Sequence, residues 1–173
     1  MKRLLLTVLL LAGALNARAQ DPDALIQEIL RVNMPATLQG KWHQVRHTQL
    51  LQDNLESDGL VYVQQPGCLR WETLSPIPSL LVFDGETPAG RFRLPSQKDF
   101  RITVLEGEQF TLNLVPVRRD LKQLFAQISL TVDRASLRVL SALMTTADGD
   151  WTLLEFQDIR SDVSLSPDLF QKP

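Results

Sequence analysis

The sequence predicts a mainly β fold: one large antiparallel sheet, curled or nearly closed, with helices laid over it. Three observations predict it. Short segments with alternating apolar and polar residues recur from about residue 41 to residue 159, with turn residues between them. A single strongly amphipathic helical pattern precedes the first strand. No internal repeat or low-complexity tract interrupts the series, and the length suits one domain with one core.

Residues 1–19 read as a cleavable export signal. Lys2 and Arg3 form the charged start, residues 4–15 the apolar stretch, and Ala17-Arg18-Ala19 the small-residue exit. The apolar run is short for a membrane span. No Cys stands at the junction, so a lipid-modified N-terminus is not expected, and residues 20–173 form the expected mature domain. Removing Lys2, Arg3 and Arg18 from 18 basic residues leaves 15 against 20 acidic ones, a net charge of −5. A mildly acidic chain argues against a nucleic-acid partner and gives no electrostatic attraction to anionic membranes.

Asp21-Pro22-Asp23 supplies a cap, a proline at the first helical position and an acid in the first turn. Leu25, Ile29 and Val32 then line one stripe, with Ile26 and Leu30 beside it. The helix should end near Asn33, because Pro35 disfavours helical geometry at Met34. Strand-like segments follow at 41–51, 59–64, 69–73, 79–83, 91–94, 100–105 and 109–115, then at 126–132, 136–145 and 150–159. Glu106-Gly107-Glu108 and Asp148-Gly149-Asp150 have hairpin-turn chemistry, and 117–124 reads as a short second helix. Phe110, Leu112 and Leu114 alternate with polar neighbours, as do Ile128, Leu130 and Val132, so one face should be apolar on strand after strand.

Within residues 58–85, Gln65-Pro66, Trp71, Pro76 and Asp84-Gly85 follow one another at fixed places, preceded by Trp42-His43-Gln44. This ordered set resembles the periplasmic lipoprotein carrier family LolA, over almost all of residues 20–173. The resemblance implies a curved antiparallel sheet forming an unclosed half β-barrel of about ten to eleven strands covered by lid helices. It also implies a monomeric periplasmic carrier that binds acyl chains of a lipoprotein or another lipid cargo. An inner-membrane release complex and an outer-membrane acceptor follow by analogy. Shielding an acyl chain is worth about 0.8 kcal/mol per buried methylene, so such a carrier needs an imperfectly filled cavity and a movable lid.

The expected cavity lining is Trp42, Tyr62, Leu69, Trp71, Phe83, Phe110, Leu112 and Leu114 on the sheet, with Leu25 and Ile29 on the lid. For each, ordinary core packing is the competing role. Trp71 has the best claim, because it coincides with a motif position. Gln65 departs from the family pattern, where Arg commonly precedes the motif proline and bonds to lid carbonyls. Gln lacks the charge and the five-donor fork, so it marks a divergent gating position. The residues after Leu169-Phe170 are also too few for the extra tail strand of some carriers.

Enzymatic chemistry finds little support. Cys68 is the sole cysteine, which excludes an intramolecular disulfide and reads as a packed thiol. His43 and His47 share one strand face, but no further Cys or His offers a metal site, and no cofactor motif appears. Ser57 and Ser75 lack the G-x-S-x-G setting, and Cys68 with either His would form a thiol pair only if folding joined them. The acid pairs Glu106 with Glu108 and Asp148 with Asp150 sit at turns. A carrier is therefore the first expectation, a lipid- or lipoprotein-sensing binding module the second, and an unidentified hydrolase the third.

Overall fold

A computed structural model describes residues 21–86 and 97–171. The expected signal at 1–19 and the strand expected at 91–94 lie outside them. Helix α1 (Pro22–Asn33) opens the described chain, with Asp21 as its cap: the Oδ1 of Asp21 accepts the Asp23 N–H at 3.1 Å. Four strands follow: β1 (Thr37–His47), β2 (Leu55–Gln64), β3 (Cys68–Ser75) and β4 (Ser79–Asp84). Then come β5 (Phe100–Glu106), β6 (Phe110–Pro116), α2 (Arg119–Leu124), β7 (Gln127–Val132), β8 (Val139–Thr145) and β9 (Trp151–Ser161). Short 3-10 turns at Gln97–Asp99 and Pro167–Phe170 complete the set.

The nine strands form one antiparallel sheet in the order β4-β3-β2-β1-β9-β8-β7-β6-β5. Among the described residues, β4 and β5 are its two edges and do not pair, so the sheet is not closed. Every neighbouring pair except β1 and β9 is consecutive in the chain, and only the β6–β7 connection carries a helix, α2. Element bounds moved where register decided them. Strand β1 begins at Thr37, because it pairs with β2 as far as Gln64, and β2 begins at Leu55, opposite Arg46. Strand β8 starts at Val139 rather than at Ser136, since Asp133 Oδ1 accepts from Ser136 N–H and Leu137 takes a φ of 57°, which makes 133–138 a tight turn.

Alternation along paired strands separates two faces. The inner face carries Trp42 and Phe156, Val61 and Trp71, Leu69 and Phe83, Ala142 and Leu154, and the run Phe110, Leu112, Leu114 opposite Val132, Leu130, Ile128. The outer face is more polar, with a hydrogen-bonded trio of Asn113, Gln127 and Ser129 on β6 and β7. The 3-10 turn at Pro167–Phe170 packs on this outer side against β3 and β4, where Arg70 Nη1 donates to the Leu169 carbonyl at 3.2 Å.

Helix α1 lies over the β5 to β7 half of the inner face. Its Leu25, Ile26 and Ile29 form a buried cluster with Phe110, Leu112 and Val132. A second cluster, Trp42, Val61 and Leu69 with partly buried Trp71, Phe83, Leu154 and Phe156, occupies the β1 to β4 half and contains no residue of α1. One apolar face thus has two separately packed halves.

Candidate functional site: the inner face of the sheet

Trp42 organises the half without the helix. Its indole lies flat on β2, where a Cβ at Gly59 would sit 2.3 Å from Trp42 Cζ2 and 2.0 Å from the Glu72 carbonyl oxygen. Glycine is therefore required there by close approach rather than by backbone conformation. The indole N–H of Trp42 donates to the Leu60 carbonyl at 3.1 Å, which satisfies the one polar group of a residue only 3% exposed. Trp71 stacks above it, ring centroids 4.7 Å apart and planes at 19°, and stays only half buried. Leu69 is buried beside the pair, and Phe83, its cross-strand partner on β4, is half buried.

In the other half Leu25 and Ile29 sit on Phe110 and Leu112, with Leu114 packed at the margin. The helix is pinned at its C-terminal end and near its middle. Asn33 Nδ2 donates to the carbonyls of Ile29 at 2.8 Å and Leu137 at 2.7 Å, while its Oδ1 accepts the Val139 N–H at 2.9 Å. Gln27 Nε2 donates to Gln97 Oε1 at 2.7 Å. A cleft of about 430 Å³ opens beside this helix, lined by Ile26, Phe100 and Ile102 with Asp23, Gln27, Gln97 and Lys98 at its polar edge.

Two expected site residues stand apart. Tyr62 lies opposite Gln39 and Arg70, two positions of the outer face, so its ring is directed away from Trp42, Leu69 and Trp71. The reason is strand parity: Tyr62 alternates with Val61 and Val63, which hold the inner positions. Gln65 is exposed at the β2–β3 turn, and its backbone N–H donates to the Ala36 carbonyl at 2.8 Å, in the segment joining α1 to β1. Among the described residues its side-chain amide has no hydrogen-bond partner. The side chain that ties α1 to the β7–β8 turn is that of Asn33, a residue read from sequence only as the helix end.

The polar candidates gather on the outer face. His43 Nδ1 and Asp58 Oδ1 are 2.8 Å apart, and Ser75 Oγ donates to Asp58 Oδ2 at 3.2 Å. The hydrogen bond to Asp58 raises the His43 pKa above its ordinary value, and the same bond lowers that of Asp58. The carboxylate stands between the hydroxyl and the imidazole, so the order is wrong for a base that activates a serine. His47 stacks on Trp151, centroids 5.4 Å apart, with Nδ1 3.0 Å from Asn54 Oδ1. No cluster of three or more metal-ligating side chains occurs among the described residues. Cys68 lies six β2 positions from the His43 pair, about 20 Å along the ladder, so no thiol–imidazole pair forms. Its Sγ donates to the Asp84 carbonyl at 3.3 Å, and burial, then Asp84 and Glu86, push the thiol pKa up.

An unclosed antiparallel sheet with a helix over one apolar face defines an open half-barrel fold. Residues 33–89 match the family described as "Outer membrane lipoprotein carrier protein LolA". No curated protein matches the sequence. Among solved structures, a chain of the Pseudomonas aeruginosa MucA/MucB complex shares 14% identity at a TM-score of 0.50, over 86% of this chain and 60% of that one. MucB alone gives 15% identity and a TM-score of 0.50, over 87% of this chain and 62% of that one. This chain therefore spans about three fifths of the length of those two. A LolA superfamily protein from Nitrosomonas europaea aligns at 10% identity and a TM-score of 0.45, over 87% and 97% of the two chains. The matched segment covers the end of α1 and all of β1 to β4, including Trp42, Trp71 and the Asp84-Gly85 turn. The sequence similarity to that family thus covers residues 33–89, and the MucA/MucB and MucB structures share the fold of this chain.

Proposed function

We propose that the protein is a periplasmic carrier that holds the acyl chains of a lipoprotein, or of another lipidated product, against the inner face of its sheet and shuttles them from the inner to the outer membrane. The observation that carries this reading is the continuity of the apolar face. It runs across all nine strands, while α1 packs on one half of it alone. Residues 1–19 act as the export signal and residues 20–173 as one carrier domain. No described helix is long and apolar enough to cross a membrane.

Trp42, Leu69, Trp71 and Phe83 form the acyl-contacting surface of one half, and Phe110, Leu112 and Leu114 that of the other. Leu25 and Ile29 lift from the second group when cargo enters, because those side chains fill the space between helix and sheet in the present packing. The lid then breaks the two Asn33 hydrogen bonds to Leu137 and Val139 and the Gln27 to Gln97 bond, a modest barrier of about 0.5–1.5 kcal/mol per bond. Gln65 lies next to this hinge without a charged clamp of its own. Release at an inner-membrane complex and delivery to an outer-membrane acceptor complete the cycle by analogy with the carrier family. The protein itself works as a monomer.

Mixing purified protein with a diacylated lipoprotein and fractionating the mixture tests the reading. A soluble complex is expected, and failure to form one with that cargo or with any acylated lipid would overturn it. The fold in MucB occurs with a second protein, MucA, so a lipid-sensing module with a protein partner is the second reading. Stable lipid-independent capture of one protein partner would favour it.

A further inference from the structure

The β1–β2 and β3–β4 connections emerge at the same end of the sheet, because Asp58 pairs with Ser75 across β2 and β3. Both display bare apolar side chains. Leu50 is 92% exposed, with Leu51 and Leu55 beside it, and Ile77 is 78% exposed, with Leu74 beside it. Isolated exposed leucines are ordinary, but here two neighbouring hairpins each carry more than one.

Their backbones are prepared for an apolar medium. At the first tip the N–H groups of three successive residues are already bonded: Gln49 to Asp150 Oδ1 at 2.9 Å, Leu50 to Thr48 Oγ1 at 3.5 Å, and Leu51 to the Thr48 carbonyl at 3.1 Å. The Gln49 side chain also donates to the Asp148 carbonyl, which ties the loop to the β8–β9 turn and points Leu50 outward. At the second tip Pro76 and Pro78 flank Ile77, so two of its residues have no N–H to desolvate. Residues 73–83 contain no charged side chain. A strand-adding peptide needs free backbone donors and a protein partner gains specificity from polar rim groups, whereas lipid penalises both.

We infer that these two hairpins are a membrane-contact edge, inserting Leu50 and Ile77 into the headgroup and acyl boundary of a bilayer. Asp53, Asp148 and Asp150 stand on or beside the first tip, so the attraction is apolar and gains nothing from anionic lipid. This inference rests on the carrier reading, in which cargo must pass between protein and membrane.

The test is flotation of residues 20–173, which contain every described element, with phosphatidylcholine vesicles in the absence of cargo. The chain is expected to float with them. Leu50→Asp and Ile77→Asp should each lower the partition coefficient about tenfold. Leu105→Asp, the same change at a 52% exposed leucine of the opposite end, should not. Circular dichroism confirms that the variants are folded. Absence of flotation, equal loss with Leu105→Asp, or binding that requires phosphatidylglycerol would overturn the inference. Leu50→Asp and Ile77→Asp should still form a soluble complex with diacylated lipoprotein. If the unsubstituted chain floats but forms no such complex, the carrier reading fails and the membrane edge stands.

Discussion

Trp71 lies stacked on Trp42 at 4.7 Å, and Trp42 lies on the bare backbone of Gly59. Three adjacent strands thus build one column: β2 supplies the floor, β1 the buried indole and β3 the half-exposed one. The column leaves an aromatic surface at the centre of the half of the inner face that contains no residue of α1. Its two upper members sit at or beside the positions that carry the family resemblance.

Gly59→Ala places a methyl group inside the Trp42 ring and against the Glu72 carbonyl. Neither neighbour is the free end of a flexible chain, so the indole must tilt and the stack must open. A loss of about 1–3 kcal/mol of stability is expected on chemical denaturation. The near-ultraviolet circular dichroism of the Trp pair should weaken with it.

Asn33 joins α1 to the β7–β8 turn through both ends of its amide. Asn33→Leu keeps the size but leaves the Val139 N–H and the Leu137 carbonyl without their partner, at an expected cost of about 1–3 kcal/mol. Hydrogen exchange should rise first in α1 rather than in β1 to β4. Uniform loss of protection over the whole sheet would show that the amide is not a local clamp.

The pair of His43 and Asp58 has a defined pH signature. The folded His43 pKa is raised, so its contribution is full below the unfolded value of about 6.5 and fades as pH rises through the folded one. The folded Asp58 pKa is lowered, so its contribution is present above the unfolded value of about 3.9 and fades as pH falls through the folded one. The pair therefore stabilises most in the acidic to near-neutral window between the two. By NMR, the His43 midpoint should lie above that of an unperturbed His, and Asp58→Asn should lower it.

The strand series, the turns and the leading helix were legible because alternation, capping and turn chemistry are local. That Leu25, Ile29, Phe110 and Leu112 belong to one apolar face was legible because each repeats the period of its own element. The Trp42 contact with Gly59 was not legible, since register between β1 and β2 is a long-range choice and a strand glycine has no side chain to signal its neighbour. Asn33 was hidden for the same reason: its partners lie 104 and 106 residues away. Tyr62 shows a limit of residue type. An aromatic in a strand reads as lining, but its position one residue from Val61 and opposite Arg70 puts it on the other face.

The arrangement of the three tryptophans permits one direct measurement of the central claim. Trp42 and Trp71 are on the inner face, while Trp151 stacks on His47 on the outer one. Brominated acyl chains quench an indole only on contact. Titrated into Trp151→Phe, they should quench the remaining emission. Titrated into Trp42→Phe with Trp71→Phe, they should leave Trp151 unaffected. Quenching of Trp151 with no effect on the inner pair, or no quenching in either variant, would contradict acyl-chain binding on the inner face.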